Sequence, residues 1–152
     1  MTKTGYAGSG QVSSERFSRD VADWVAGANE RLAGIVRGTV RELAARIGER
    51  TPVTSGRTRA NWRAGLDAPD TGTTNSTDYA AAERKAAGVI ARFDPLRHRS
   101  VYLTNALPHV HELEYGGGGK VPRGMVRVTA AEFAGIVRDQ VRRARTRGAG
   151  LS

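Results

Sequence analysis

Histidine and carboxylate side chains lie closest together at His109, His111, Glu112 and Glu114, where the sequence could hold a metal ion. Imidazole and carboxylate groups bind zinc and related metals, but only when they converge on one point. This segment has a helical pattern, and on a helix His109 shares a face with Glu112 while His111 points elsewhere. The sequence therefore predicts no metal site here.

A run of four glycines, Gly116 to Gly119, precedes Lys120 and has the composition of a phosphate-binding loop. It lacks the spacing of such a loop, and no helix start follows it. Serine, histidine and aspartate occur in the chain, but no nucleophile elbow surrounds a serine. We therefore expect a plain loop, no cofactor and no catalytic residue, so the chain is predicted not to be an enzyme.

Composition restricts the remaining classes of protein. The chain has 152 residues, which suits one domain with its own core, and a formal net charge of +9. Such a charge favours contact with nucleic acid, acidic surfaces or acidic proteins, without choosing among them. There is no cysteine, which excludes disulfides and thiolate sites. No apolar run is long enough to span a membrane and no signal core begins the chain, so we expect no membrane partner and no export by the usual route.

A long amphipathic helix is predicted near the N-terminus. Residues 1–12 are rich in glycine, serine and threonine and are expected to form a flexible arm. From about Ser14, apolar side chains recur at steps of three and four until Thr51-Pro52 ends the helix. The stripe comprises Phe17, Val21, Trp24, Ala28, Leu32, Ile35, Leu43 and Ile47. Gly27, Gly34 and Gly38 within it favour either close approach of a neighbouring element or a mild bend.

The next segment predicts a surface strand. Thr58, Ala60 and Trp62 alternate with Arg57, Arg59, Asn61 and Arg63, which is the period of a strand. Three arginines around a tryptophan could also form a nucleic-acid-binding patch. A solvated strand face is the more frequent cause of this pattern, and we favour it.

A middle helix and a compact central unit come next. Residues 67–77 are predicted to be loop, and Thr77 or Asp78 to cap a helix that stops before Asp94-Pro95. Residues 101–104 alternate as a strand, and residues 109–115 read as a short helix that ends at Gly116. Residues 125–128 are predicted to be a second extended run.

The C-terminal region predicts a basic helix. Thr129 and Glu132 have the spacing of a capping box. The predicted buried stripe comprises Phe133, Ile136, Val137, Val141 and Ala144. The last turns carry Arg138, Arg142, Arg143, Arg145 and Arg147, more positive charge than the helix dipole needs. These arginines could face a partner protein, face DNA or form a merely solvated surface, and the sequence does not choose among the three. Residues 148–152 are expected to be a flexible tail, which leaves 13–147 as a single domain.

Four segments resemble the minor tail and tail-completion proteins of long-tailed bacteriophages, which include neck and head–tail connector components. They are PVTSGRTRANW from Pro52, GVIARF from Gly88, YLTNALPHVHELEYG from Tyr102 and PRGMVRVT from Pro122. Together they span about half of the chain, from Pro52 to Thr129, in the family's order. The chain departs from the family at Thr54, where an aspartate is common, and in the glycine run, which is usually more polar.

The resemblance implies an α+β fold in which a long N-terminal helix and a C-terminal helix pack on a short antiparallel sheet, with an inserted middle helix. It also implies a structural virion protein that forms a ring, most simply a hexamer, at the head-proximal end of the tail. The expected partners are other copies, neighbouring neck and tail proteins and, by non-specific contact, the packaged DNA. The expected location is the virion, after assembly in the host cytoplasm. A small basic DNA-binding protein that acts as a monomer or dimer is the alternative.

Candidate residues follow from these expectations. Residues that could face a neighbouring protein or the DNA channel are Arg57, Arg59, Arg63, Lys120, Arg123, Arg138, Arg142, Arg143 and Arg145. Residues expected to form the scaffold of the central unit are Tyr102, Asn105, Pro108, Leu113, Glu114 and Gly116.

Overall fold

The long N-terminal helix α1 runs without interruption from Ser9 to Arg50, a length of 42 residues. It ends where Pro52 follows and where the Thr51 hydroxyl donates to the carbonyl of Ile47 at 2.7 Å. The computed structural model describes residues 9–119 and 122–150. The helix therefore begins inside the stretch expected to be a flexible arm, and the expectation for residues 1–8 lies outside the described residues.

The other elements of the described residues occur in this order. A single 3-10 turn spans Arg59–Asn61, strand β1 spans Arg63–Leu66, helix α2 spans Tyr79–Ala91, strand β2 spans Val101–Thr104, helix α3 spans Val110–Tyr115, helix α4 spans Met125–Ala131 and helix α5 spans Phe133–Ala149. The predicted α+β class with a long N-terminal helix is confirmed. None of these helices is long and apolar enough to cross a membrane.

The sheet consists of β1 and β2, paired antiparallel so that Arg63 lies opposite Thr104 and Leu66 opposite Val101. Helix α2 packs against β1, while α1 and α5 pack chiefly against each other. The predictions of β2 and α3 are confirmed, and so is α2, whose cap is Asp78: its carboxylate accepts from the Ala81 amide at 3.0 Å.

The strand predicted over residues 57–63 is wrong. Gly56 has a φ of 80°, which opens a turn, and the Ala60 amide bonds to its carbonyl at 3.0 Å. The fully buried Asn61 then donates to the carbonyls of Arg57 and Thr74, at 2.7 and 3.0 Å. Two of these bonds span four residues, and the third reaches Thr74, 13 residues farther along the chain. Together they hold residues 59–61 in a 3-10 turn, so the strand starts only at Arg63.

Helix α5 runs antiparallel to α1, with Glu132 beside Arg50 and Gln140 beside Gly38. A Cβ at Gly38 would collide with the Gln140 side chain, and one at Gly48 would collide with the Tyr79 hydroxyl. Gly38 therefore permits close approach of α5, which was one of the two roles expected for Gly27, Gly34 and Gly38. Gly48, which was not in that set, permits close approach of α2. The buried core around these contacts includes Ala33, Ile47, Ala60, Ala64, Ile90, Phe93, Leu107, Met125 and Ile136.

The extended run predicted at residues 125–128 is wrong, because helix α4 occupies this stretch. The amides of Val126 and Arg127 both donate to the Glu114 carboxylate, each at 2.9 Å. Gly124 precedes the helix in the left-handed region, at a φ of 60°. An acidic side chain 12 residues upstream thus starts this helix, and a local period of two could not reveal it.

The capping box predicted at Thr129 and Glu132 is also wrong. Thr129 lies inside α4, where its hydroxyl donates to the Met125 carbonyl at 2.7 Å. Glu132 precedes α5 without a side-chain capping bond, since its carboxylate bonds to α1 instead. Helix α5 continues to Ala149, so it includes Gly148 and Ala149 of the expected tail, while residues 151–152 lie outside the described residues.

Candidate interaction surfaces

The central unit is held together by Glu114, which is 5% exposed. Burial raises the pKa of its carboxyl, but the hydrogen bonds from Val126 and Arg127 outweigh this and hold the pKa below its ordinary value. The Arg127 guanidinium adds a bond at 3.2 Å and lies over the Tyr115 ring. Glu114 therefore joins α3 to α4 as a cap that is charged at neutral pH.

Other scaffold residues of this unit are placed around that cap. The Asn105 amide donates to the Thr58 carbonyl at 2.8 Å, and Gly116 ends α3 with a φ of 81°. Leu113 is half-buried, whereas Tyr102 and Pro108 are exposed. Asn105, Glu114 and Gly116 thus make contacts that a scaffold requires, and Tyr102 and Pro108 are left at the surface.

The two histidines of the unit have separate partners. The Nε2 atom of His109 lies 2.7 Å from the hydroxyl of Thr58, which is buried. His111 lies against the Tyr115 ring, with 4.8 Å between ring centroids. Their side chains do not converge, and no cluster of three or more metal-binding groups occurs among the residues that the structure describes.

A charged clamp fixes α5 to the end of α1. The Glu132 carboxylate accepts from Arg50 at 2.6 and 2.9 Å and from Arg46 at 2.7 Å. Arg50 also donates to the Thr129 hydroxyl at 2.7 Å. These guanidinium bonds, with that of Arg50 the largest, lower the pKa of Glu132 from 4.5 to about 2. The sequence pattern assigned Glu132 to a cap, so this bridge between distant segments was missed.

The three arginines around Trp62 form intramolecular contacts. Arg57 donates to the Thr74 carbonyl at 3.2 Å, the Arg59 guanidinium lies 4.1 Å from the centroid of the Tyr79 ring, and Arg63 lies 3.6 Å from Asp70. All three side chains are half-buried. They therefore contribute less exposed charge than a solvated strand face would.

The arginines of α5 divide between two faces. Helical periodicity places Arg138, Arg142 and Arg145 on the face opposite the buried Ile136 and Gln140, and all three are exposed. Arg142 pairs with Asp139 at 3.1 Å. The remaining two, Arg143 and Arg147, line a groove between α1, α2 and α5. Among the other candidates, Arg123 is exposed, and Lys120 lies outside the described residues.

The N-terminal half of α1 projects beyond the rest of the fold. Every side chain from residue 14 to residue 26 is exposed, and we call this segment the helical arm. Phe17 and Trp24 are each 69% exposed, and Val21 and Val25 lie beside them at 43% and 44%. The apolar row of the arm lies on the same side of α1 that contacts α5 nearer to Arg50. Helix α5 does not reach as far as the arm. About 20 Å of apolar helix face is thus left uncovered within the described residues.

A groove of about 850 Å³ lies where α1, α2 and α5 meet. Its small or apolar lining residues are Gly34, Gly38, Ala44, Ala45, Trp62, Ala86, Ala87 and Ile90. Its charged lining residues are Glu30, Arg37, Arg41, Glu42, Glu83, Arg84, Arg143 and Arg147. Arg37 is held by the Phe93 carbonyl at 2.6 and 2.9 Å and by Glu30 at 3.2 Å. The other four arginines form no ion pair within the part of the chain that the structure describes.

Comparison of the chain with protein-family models, curated proteins and solved structures found no match. The function must therefore be argued from the surfaces themselves. The sequence indicated the charge on α5 and the apolar stripe of α1. It did not reveal where α5 stops covering that stripe. It also did not reveal the groove, because three separate helices form it.

Proposed function

We propose that this chain is a structural protein of a long-tailed bacteriophage virion, located at the neck or at the head-proximal end of the tail. Copies would form a ring there, most simply a hexamer, that joins tail to head around the DNA channel. The neighbouring neck and tail proteins are the proposed partners. The chain would reach this place after assembly in the host cytoplasm.

The observation that carries the proposal is the uncovered helical arm. Monomeric proteins rarely leave a continuous apolar patch in water, and a larger patch marks an interaction site. The aromatic side chains of Phe17 and Trp24 are of the kind that subunit interfaces bury. A subunit that is completed by its neighbours accounts for the arm, and the resemblance of four sequence segments to tail-completion proteins indicates which assembly it is.

Labelling of particles tests this proposal. Antibody raised against the chain and coupled to gold should bind at the head–tail junction of the phage that encodes it. Particles that lack the chain should accumulate as separate heads and tails. Label elsewhere on the particle, or normal particles without the chain, would overturn the assignment.

The second candidate function, non-specific DNA binding, is favoured by the exposed arginine face of α5. Arg138, Arg142 and Arg145 lie together there, and within the described residues one carboxylate, Asp139, pairs with them. Phosphate contacts through several arginines weaken steeply as salt rises, whereas a ring built on apolar contacts does not. Tight binding of duplex DNA by the purified monomer, lost on raising the salt, would support this candidate.

Replacement of arginines separates a DNA-facing surface from solubilising charge. We expect glutamine at Arg138, Arg142 and Arg145, the three arginines of the exposed face, to impair DNA delivery while tails still join heads. The matched control replaces Arg92, Arg97 and Arg99, three exposed arginines outside α5, and should be normal in both assays. Normal delivery by the α5 variant at physiological salt would show that these arginines serve solubility alone.

A further inference from the structure

We propose that the helical arm of one copy binds in the groove between α1, α2 and α5 of a second copy. This inference rests on the proposed ring, because it names the contact that would build it. Its occupant is a second copy of this chain, and the segment that enters the groove is residues 14–26.

Shape is the first ground for this pairing. The arm is convex and presents Phe17, Val21 and Trp24 in one row along the helix. The groove is concave, and small side chains such as Gly34 and Ala45 leave room for a helix to approach. A Cβ built at Gly34 would have no atom within 4 Å apart from its own helix and chain neighbours. The volume of about 850 Å³ lies in the upper part of the range of ligand pockets, roughly 300–1,000 Å³.

Charge is the second ground. The groove carries Arg41, Arg84, Arg143 and Arg147 without an ion-pair partner among the described residues. The arm carries three carboxylates, at Glu15, Asp20 and Asp23, against two arginines. Asp20 and Asp23 share one edge of the apolar row with Arg16, so a docked arm would bring an edge with one net negative charge to the rim of the groove. Opposite charges at a rim favour one orientation of the partner.

The continuity of α1 excludes an intramolecular version of this contact. The arm and one wall of the groove belong to the same unbroken helix, from Ser9 to Arg50. The arm cannot fold back onto that wall without breaking the helix. The contact must therefore join two copies through different surfaces, and such a head-to-tail contact closes into a ring when the rotation between copies allows it. Pairing of two arms with each other would use the same surface on both copies, so it would give a dimer and no larger ring.

Disulfide trapping tests the contact directly, because the chain contains no cysteine of its own. Val25→Cys places a thiol on the arm, and Gly34→Cys places one in the groove. The two single variants are mixed at the highest soluble concentration and oxidised slowly. We expect a disulfide that links a Val25→Cys chain to a Gly34→Cys chain, identified by the mass of the linked peptides. Gly88→Cys, an open glycine on α2 outside the groove lining, is the matched control and should not react with the arm.

A second variant measures how much the aromatic row contributes. Trp24→Ala in the arm partner should weaken association roughly 30-fold, as expected for a buried aromatic anchor. Its helical content should be unchanged, since the Trp24 side chain is 69% exposed in the single chain. Equal trapping with and without Trp24→Ala would overturn the assignment of this row to the contact.

Each alternative occupant has its own result, and each overturns the inference. Disulfides of Val25→Cys with itself would show that arms pair with arms. Loss of trapping on addition of duplex DNA, together with DNA binding that requires Arg41 and Arg84, would make the groove a nucleic-acid site. Absence of any mixed disulfide at high concentration would rule out the contact. If gold label is found at the neck but no mixed disulfide forms, only the proposed contact is refuted. If the mixed disulfide forms but no label is found at the neck, only the proposed function is refuted.

Discussion

Replacing Glu114 by glutamine should destabilise the fold substantially. Glu114 is the one buried carboxylate among the described residues, and its oxygens receive the Val126 and Arg127 amides, each at 2.9 Å. A glutamine keeps one carbonyl oxygen for one of these amides. Its NH₂ group then faces the other amide, which loses its acceptor.

The magnitude can be worked from these bonds. A buried donor left without an acceptor costs about 1–3 kcal/mol, and a lost charge at a helix N-terminus costs about 0.3–1 kcal/mol. Weakening of the bonds from the Arg127 guanidinium adds to this. We therefore expect Glu114→Gln to lower the free energy of unfolding by about 2–4 kcal/mol. For a chain of this size the melting temperature should fall by about 5–15 °C.

Urea and thermal unfolding at neutral pH would measure the difference. Glu49→Gln, the same change at an exposed position of α1, is the control and should stay within about 0.5 kcal/mol of the parent protein. The pKa of Glu114 is lowered in the folded protein, so its contribution is present above the ordinary carboxyl pKa and lost as the pH falls through the folded value. The stabilities of the parent and of Glu114→Gln should therefore converge in acid. A difference below about 0.5 kcal/mol at neutral pH, or one that persists in acid, would refute this account.

Four further substitutions test the packing and the clamp, each by equilibrium unfolding. Ile90→Ala, at a side chain 1% exposed, should cost about 2–5 kcal/mol, whereas Phe133→Ala, at 50% exposed, should cost less than half of that; equal losses would contradict the described burial. Thr129→Ala should cost about 1–3 kcal/mol, because the fully buried hydroxyl accepts from Arg50 at 2.7 Å, and a neutral result would show that water replaces it. Glu132 has a pKa of about 2 in the fold, so its stabilisation is complete above pH 4.5 and is lost as the pH falls towards 2. Glu132→Gln should remove that part of the acid dependence, and an unchanged acid profile would show that the clamp does not couple to folding.

Elements with local determinants could be predicted from the sequence. Asp78 caps α2 by bonding three residues ahead, and Gly116 ends α3 in the left-handed region, so both limits are visible in neighbouring residues. The charge on α5 could likewise be counted, and its division into two faces follows from helical periodicity.

Elements whose determinants lie far away in the sequence could not be predicted. Helix α4 begins where Glu114 supplies a cap from 12 residues upstream, so the local alternation of Met125 to Val128 was misleading. Glu132 has the spacing of a capping residue, but Arg46 and Arg50 bind it from 86 and 82 residues upstream. The apolar stripe of α1 is continuous, and only the arrangement of α5 decides which part of it is covered.

The unbroken passage of α1 from the body into the arm restricts how the length of this chain can vary. Each residue added to a helix lengthens it by about 1.5 Å and rotates one side of the insertion against the other by about 100°. A single insertion in residues 27–31 would swing Phe17 and Trp24 about a quarter turn around the helix axis. An insertion of seven residues would nearly restore their direction and would extend the reach of the arm by about 10 Å. We therefore expect insertions and deletions in this helix to be tolerated in steps close to whole turns, such as about four, seven or eleven residues.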